Sequence, residues 1–456
     1  MSKSFVCIVA SHYRTPLWIL SAKKISQVIV ICRNRDDLDF ALDLCDADDI
    51  VIDLTDDKIT ASEYNVNLVH KFEEMHNVSL MSFVLSDRRL RTFSKKKIEL
   101  YLSYLISQFD KIDFSKIMFS MSEPTWFHER LFLLYCEKNS VHSIHLRPDR
   151  YAIGFFNIFL GDEYTALVKN KSKVVSNDDI HKYRKLISGL KNPRDFDTVK
   201  NRNFFSMDKF KSLSFLIKLY FRNGGSTYIH QPFYLMIINK LKNIFRGYYL
   251  KYFHSFDTLS EEPSDSALLL LHMQPEQSID VANWQYSDQI NTARRLRERL
   301  PTTTTLYVKD HPHCAGMRSL DFYSHILKLP NTRLLNPFLD TKSLLPSVAS
   351  VYSASGTGVF EAGVQNIPCG CFNNIFFEGV CQTRIYLEYN NKLPSLIKSE
   401  SVSNVKLEQT LKNIIEGQFE GDVRDMLRDS LIMSEDNIKN VSKALKQLAD
   451  HEIWDF

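Results

Sequence analysis

The chain has 456 residues, 44% hydrophobic and 24% charged, with a formal net charge of +3. That length is too great for one ordinary core and points to two domains, and the composition is that of a soluble globular enzyme. No run reaches the roughly 18 apolar residues that span a bilayer, which excludes a membrane-spanning class.

The first 150 residues alternate strand and helix patterns. FVCIVAS (5–11), QVIVICR (27–33) and DDIVIDL (48–54) read as buried parallel strands. PLWILSAKKIS and NLVHKFEEMHN read as helices between and after them. SKKKIELYLSYLISQF (94–109) carries apolar residues at 98, 101, 102, 105 and 106, a helical stripe. KIMFSMSEPT (116–125) is a strand ending in a polar loop, followed by helix ERLFLLYCEKN and strand SVHSIHLRP. Residues 1–150 are therefore expected to form one Rossmann-like α/β domain.

Residues 151–262 break this rhythm and read as a helical connector. From 209 to 251 there are eight basic residues (Lys209, Lys211, Lys218, Arg222, Lys240, Lys242, Arg246, Lys251) and no acid, with Phe and Tyr interleaved. The stretch is either a solvated basic face or a surface for peripheral contact with an anionic membrane or glycan. No recognisable nucleic-acid motif is present, so nucleic acid is not an expected partner.

Residues 263–456 restart the alternation and are expected to form a second Rossmann-like domain with a helical tail from about 403. LLLLHMQ opens it, and Ser287 is the expected cap of helix SDQINTARRLRERL. Then come strand TLYVKD, loop HPHCAG, helix DFYSHILKL, strand TRLLN, strand SVYSAS, helix GVFEAGV and strand IPCGCF. The eight cysteines sit in or beside apolar runs. MSKSFVCIVASHYR has too short an apolar core for a secretory signal, so reduced thiols and a cytoplasmic chain are expected. Cys369 and Cys371 lack a second pair at zinc spacing, so they read as buried thiols, and no metal is expected.

Five places could carry chemistry. In SASGTGVFEAG, Ser353 and Ser355 end a strand, Gly356 and Gly358 flank Thr357, and a helix containing Glu361 begins. Small residues at a helix start let amides approach a phosphate. In KDHPH, His311 is fixed by Pro312 at a strand end, where an imidazolium would stabilise a phosphate dianion and Lys309 would add charge. In HMQPEQS, Glu276 lies just past a strand and could act as nucleophile or base, with Asp280 its nearby substitute. Glu123 of SEPTWFHE could accept a proton from an acceptor hydroxyl, and His12 and Arg14 could bind an anionic acceptor.

The order QPExS, then KxHP, then a small-residue loop with GxFEA, then IPxxxF resembles the bacterial capsule polysaccharide biosynthesis family. That family includes retaining β-Kdo transferases that use CMP-Kdo. The resemblance covers residues 265–382 best. The His-Pro and Ser pair is also similar to sialyltransferases that use CMP-sialic acid. The resemblance implies a GT-B-like fold of two Rossmann-like domains facing across a cleft, the first binding acceptor and the second a CMP-sugar donor. It implies that His311 contacts the CMP phosphate, that Ser355, Gly356 and Thr357 cradle it, and that Glu361 holds the ribose or orders the loop. The family's nucleophile is an aspartate in a Q–D–S setting, where this chain has Glu276. The extra methylene shifts the carboxylate from the family's position, so the resemblance alone does not carry the retaining mechanism to this chain. In the sialyltransferases the base is an acid of the first domain, the role Glu123 would fill.

The expected activity is transfer of Kdo or a sialic-acid-like nonulosonate from a CMP-sugar to a surface polysaccharide or lipid-linked glycan, without cofactor or metal. The rival expectations are a CDP-alcohol phosphotransferase of the teichoic-acid type, a non-catalytic glycan-assembly subunit and a membrane-peripheral scaffold acting through 209–251.

Overall fold

Continuous apolar runs become the central strands of two sheets, one mainly and one wholly parallel, each in its own unit. The computed structural model describes residues 4–450 apart from 11, 64, 88–89, 91–92, 162–165, 190–216, 219–220, 222–232, 253, 260–264, 275, 374, 382, 385–401, 425 and 427–428. Residues 1–174, 217–233 and 416–456 make unit 1, and 175–216 with 234–415 make unit 2. Among the described residues the strands of the first part are β1 (Phe5–Val9), β2 (Gln27–Cys32), β3 (Ile50–Asp53), β4 (Ile117–Met121), β5 (His142–Pro148) and β6 (Phe155–Leu160). They are followed by β7 (Ser266–Leu270), β8 (Thr305–Lys309), β9 (Thr332–Leu335), β10 (Ser350–Ser353), β11 (Cys369–Cys371), β12 (Thr383–Arg384) and β13 (Gln418–Glu420).

The sheet of unit 1 runs β3-β2-β1-β4-β5-β6-β13. β1 to β5 pair in parallel, with Val6 opposite Val28 and Ile8 opposite Val30, whereas β6 and β13 are antiparallel. Successive residues of a strand face opposite sides, and here both sides are covered. Val6 and Ile8 pack with Trp18, Val441 and Leu445, while Cys7 and Val9 belong to the core that holds Phe109 and Phe132. The helix Lys95–Phe109 begins where the Ser94 side chain accepts from the Lys97 amide, and it buries positions 101, 102, 105 and 106 of the stripe seen in the sequence, with Ile98 partly buried.

The domain boundaries differ from those read in the sequence. The tail does not stay with the second domain. β13 pairs with β6, placing Phe419 opposite Phe156, and Ser442 of helix Glu435–Ala449 donates to the Ser21 carbonyl at 2.9 Å. An amphipathic tail carries no label saying which core it covers. The connector is not wholly helical either: β6 lies in it, beside helices Asn177–Gly189 and Phe233–Tyr252. Lys209, Lys211 and Arg222 fall outside the described residues. No helix among the described residues is long and apolar enough to cross a membrane.

Unit 2 has an all-parallel sheet in the order β9-β8-β7-β10-β11-β12. The expectation of two Rossmann-like α/β domains therefore holds. Leu269, Leu306, Val308 and Tyr352 form its core with Leu296 and Ile326. Asp288, one residue past the expected cap, caps helix Gln289–Arg299 by accepting from the Asn291 amide at 3.1 Å.

Candidate active site

In unit 2 the chain lays down β7, β8 and β9 to one side, then returns to place β10, β11 and β12 on the other. The direction switches between β7 and β10, and doubly wound sheets take their ligands at the carboxyl ends of such a strand pair. The 353–358 loop, the 271–280 loop and the 310–318 loop leave the ends of β10, β7 and β8, which are neighbours in this sheet.

His272 joins two of these loops. Its Nε2 accepts the Ser355 amide at 3.1 Å and lies 3.1 Å from Ser353 Oγ. Because Nε2 accepts, the ring proton sits on Nδ1. Nδ1 lies 3.5 Å from Ser278 Oγ and 3.9 Å from Glu276 Oε2. Glu276 itself is half-buried, and its amide donates to Asp280 Oδ2 at 3.1 Å. Asp280 is buried and also accepts from Gln274 Nε2 at 2.8 Å, so it braces the loop rather than substituting for Glu276.

The serines are placed differently from the expected phosphate cradle. Ser353 Oγ donates to the Leu270 carbonyl at 2.9 Å, and Ser355 Oγ accepts from Asn283 Nδ2 at 3.2 Å. With the Ser355 amide spent on His272, both residues fold the loop. The helix Thr357–Val364 that follows has Gly356 at its cap position and no side-chain cap, so amides of its first turn are the ones suited to an anion. The glycines serve close packing. A Cβ on Gly356 would lie 2.7 Å from Ser353 Oγ, and one on Gly358 would collide with Leu270 Cδ1. Glu361, one turn on, is buried beside Lys342 at 4.0 Å, and Lys342 in turn donates to the Ile187 carbonyl at 2.6 Å.

Lys309, expected to add charge at a phosphate, is turned to a backbone carbonyl. It is buried and donates to the Pro337 carbonyl at 3.1 Å. Burial pushes its pKa down to about 8, against the opposing pull of the Asp310 and Asp340 carboxylates. His311 Nδ1 accepts the His313 amide at 3.2 Å, which leaves the proton of the neutral ring on Nε2 as a donor. The two rings stack with centroids 5.3 Å apart.

Beneath these loops runs a buried polar network that the sequence did not announce. Arg318 Nε donates to Asp310 Oδ1 and Oδ2 at 3.0 and 2.9 Å, NH1 to Gln274 Oε1 at 3.1 Å, and NH2 to the His272 carbonyl at 2.6 Å. Asp310 also accepts from Tyr323 Oη at 2.8 Å and from the His311 amide at 2.8 Å. Burial is the largest single influence and would lower the Arg318 pKa, but the charge and hydrogen bond of Asp310, with Cys314 and Tyr323, together outweigh it and the net direction is upward. One guanidinium thus ties the His272–Glu276 loop to the His311 loop. His272 stands at a strand end, as His311 does, which was its available signal. Arg318 lies in a turn with no motif around it.

Unit 1 repeats the geometry. Its sheet order switches between β1 and β4, and the residues beyond those strands, Arg14 and Glu123, form an ion pair. Both side chains are partly buried. His12 opens the same short 3-10 turn, His12–Arg14, and its side chain is outside the described residues. Behind them His145 is buried, stacked on Phe159, and held neutral. Burial first, and then the charges of Arg147 and Arg14, push its pKa down to about 3.

No family model matches the sequence, and no curated protein matches it. Solved structures similar to it include KpsC of Thermosulfurimonas dismutans, a beta Kdo 2,7 transferase, at 11% identity and a TM-score of 0.34, covering 98% of this chain and 99% of that one. A putative UDP-N-acetylglucosamine 2-epimerase from Listeria monocytogenes is 10% identical with a TM-score of 0.26, covering 99% and 97%. CalG4, the calicheamicin glycosyltransferase, is 12% identical with a TM-score of 0.25, covering 99% and 98%. Likenesses this distant add nothing to the reading of the site, which rests on its own geometry.

Taken by itself, the edge of unit 2 offers helix-start amides and an imidazole N–H to an anion, with the Glu276 carboxylate in the same loop system, 3.9 Å from His272 Nδ1. The edge of unit 1 offers a carboxylate held by a guanidinium.

Proposed function

We propose that the chain is a glycosyltransferase that moves an acidic sugar, Kdo or a sialic-acid-like nonulosonate, from its CMP ester to a polysaccharide or lipid-linked glycan. The observation that carries this reading is the His272–Ser355 clasp. It holds an uncapped helix start at the switch point of the unit 2 sheet, after β10, with β7 between that strand and the one that leads to His311. The donor class comes from the motif order in the sequence. Amides of the first turn of Thr357–Val364 and the His311 Nε2 proton would stabilise the phosphate oxygens as the anomeric C–O bond breaks and its electron pair leaves with CMP. Glu276 would attack the anomeric carbon, and the acceptor hydroxyl would later displace it with loss of its proton. Asp280 and His272 hold the Glu276 loop, which favours this carboxylate.

A second reading rests on the Arg14–Glu123 pair at the other switch point. There Glu123 would take the proton of the acceptor hydroxyl, with inversion in a single displacement.

The test is a thermal-shift panel of CMP, CDP, UMP, UDP and GDP, followed by transfer assays. The reading expects CMP to stabilise the protein through selective binding and His311→Ala to lose that shift. Stabilisation by UDP or GDP but not by CMP would overturn the donor assignment. A product that contains phosphate would assign the phosphotransferase instead.

A further inference from the structure

Helix Phe233–Tyr252 carries an exposed face that the donor site does not explain. Its buried residues are Gly247 and Leu250, and Leu250 belongs to the core of unit 2. The helix seats closely. A Cβ on Gly316 would meet the Asn243 carbonyl and lie 2.7 Å from the Gly247 amide nitrogen, and Gly316 holds φ +88. The turn it presses against follows His311 by only a few residues.

On the outer side Tyr234, Ile238, Leu241, Phe245, Tyr248 and Tyr252 are all exposed, Phe245 at 69% and Tyr234 at 63%. Their spacing alternates between three and four residues. At about 100° per residue they fall on one arc roughly 80° wide, running some 27 Å along the helix. On the same wheel Lys242 and Arg246 flank one side of the arc, and Lys240 and Lys251 flank the other. No Asp or Glu occurs in 233–252. An apolar stripe with both margins cationic is matched in charge and shape by the headgroup region of an anionic bilayer. Tyrosine, with an apolar ring and a polar tip, suits that boundary.

We propose that this face docks the chain on an anionic lipid surface, with the stripe at the headgroup–acyl boundary and the four cations on lipid phosphates. The proposal stands independently of the sugar-donor reading, since it needs only the helix. It sharpens the basic 209–251 stretch to one face of one helix. Through Gly316 it joins that face to the segment bearing His311.

The test is co-sedimentation of the full chain with phosphatidylcholine vesicles, with and without about one-third phosphatidylglycerol. Binding is expected to be at least about tenfold tighter with the anionic lipid and to weaken with salt. The double variant Leu241→Glu/Phe245→Glu should lose binding by at least about tenfold with its melting temperature unchanged, since both side chains are exposed. Lys242→Glu/Arg246→Glu should lose the preference for anionic lipid. Absence of binding by the parent chain, or full binding by the Leu241/Phe245 variant, would overturn the proposal. So would a dimer in solution that the same variant abolishes, because that would assign the face to a second copy.

Discussion

Arg318→Met removes the guanidinium that joins the two loops at the edge of the unit 2 sheet while keeping a long apolar stem. The Arg318 side chain is 8% exposed and Asp310 is 1% exposed, so the pair is shielded from solvent. The substitution deletes both contacts to Asp310, the contact to Gln274 and the contact to the His272 carbonyl. Asp310 would keep Tyr323 Oη and the His311 amide but lose its counter-charge. Breaking a buried ion pair from one side costs about 3–5 kcal/mol, chiefly the penalty of the stranded charge. At roughly 2–4 °C per kcal/mol for a unit of this size, the melting temperature should fall by roughly 6–20 °C. Asp310→Asn in the same background removes the stranded charge, so the double variant should recover part of the loss. Calorimetry on the parent, both single variants and the double variant closes the cycle. A fall below about 2 °C for Arg318→Met, or a double variant as unstable as the sum of the singles, would refute the reasoning.

Three further outcomes can be checked. Glu276→Gln should lower turnover by about a hundredfold or more while leaving CMP affinity near the parent value, and Glu123→Gln should do so instead if the carboxylate of unit 1 is the base. Lys309 gives a pH signature. Its proton is lost near pH 8 in the folded chain but only near 10.5 when unfolded, so the burial penalty is full below pH 8 and fades as pH rises through that window. Urea midpoints should therefore climb between pH 8 and 10 for the parent relative to Lys309→Met, by up to about 3 kcal/mol in total, and parallel curves would contradict the assignment. Gly316→Ala places a Cβ against the Asn243 carbonyl at a left-handed φ, and should cost about 2–5 kcal/mol by thermal unfolding.

Strands were legible because a strand buried on both faces needs an unbroken apolar run, and β1, β2, β7 and β8 are such runs. The carboxyl ends of β4, β7, β8 and β10 were legible for the same reason: Glu123, Glu276, His311 and Ser353 stand at or just past where the run stops. Roles were harder to read. Ser353, Ser355 and Lys309 looked like ligand contacts, because a serine that closes a loop and one that binds phosphate have the same neighbours in the chain. Arg318 and Asn283 had no local mark, since the contacts by which they join loops, to Gln274 and Ser355, span 44 and 72 residues.

Local sequence determined where strands end and which polar residues stand at those ends, because periodicity and chain breaks act over a few residues. Only the tertiary structure decided that the tail from 416 returns to unit 1, that His272 spends its Nε2 on the Ser355 amide, and that Lys309 turns to a carbonyl. Those outcomes depend on which hydrogen-bond partner is nearest once distant segments pack, and no short window of residues carries that distance.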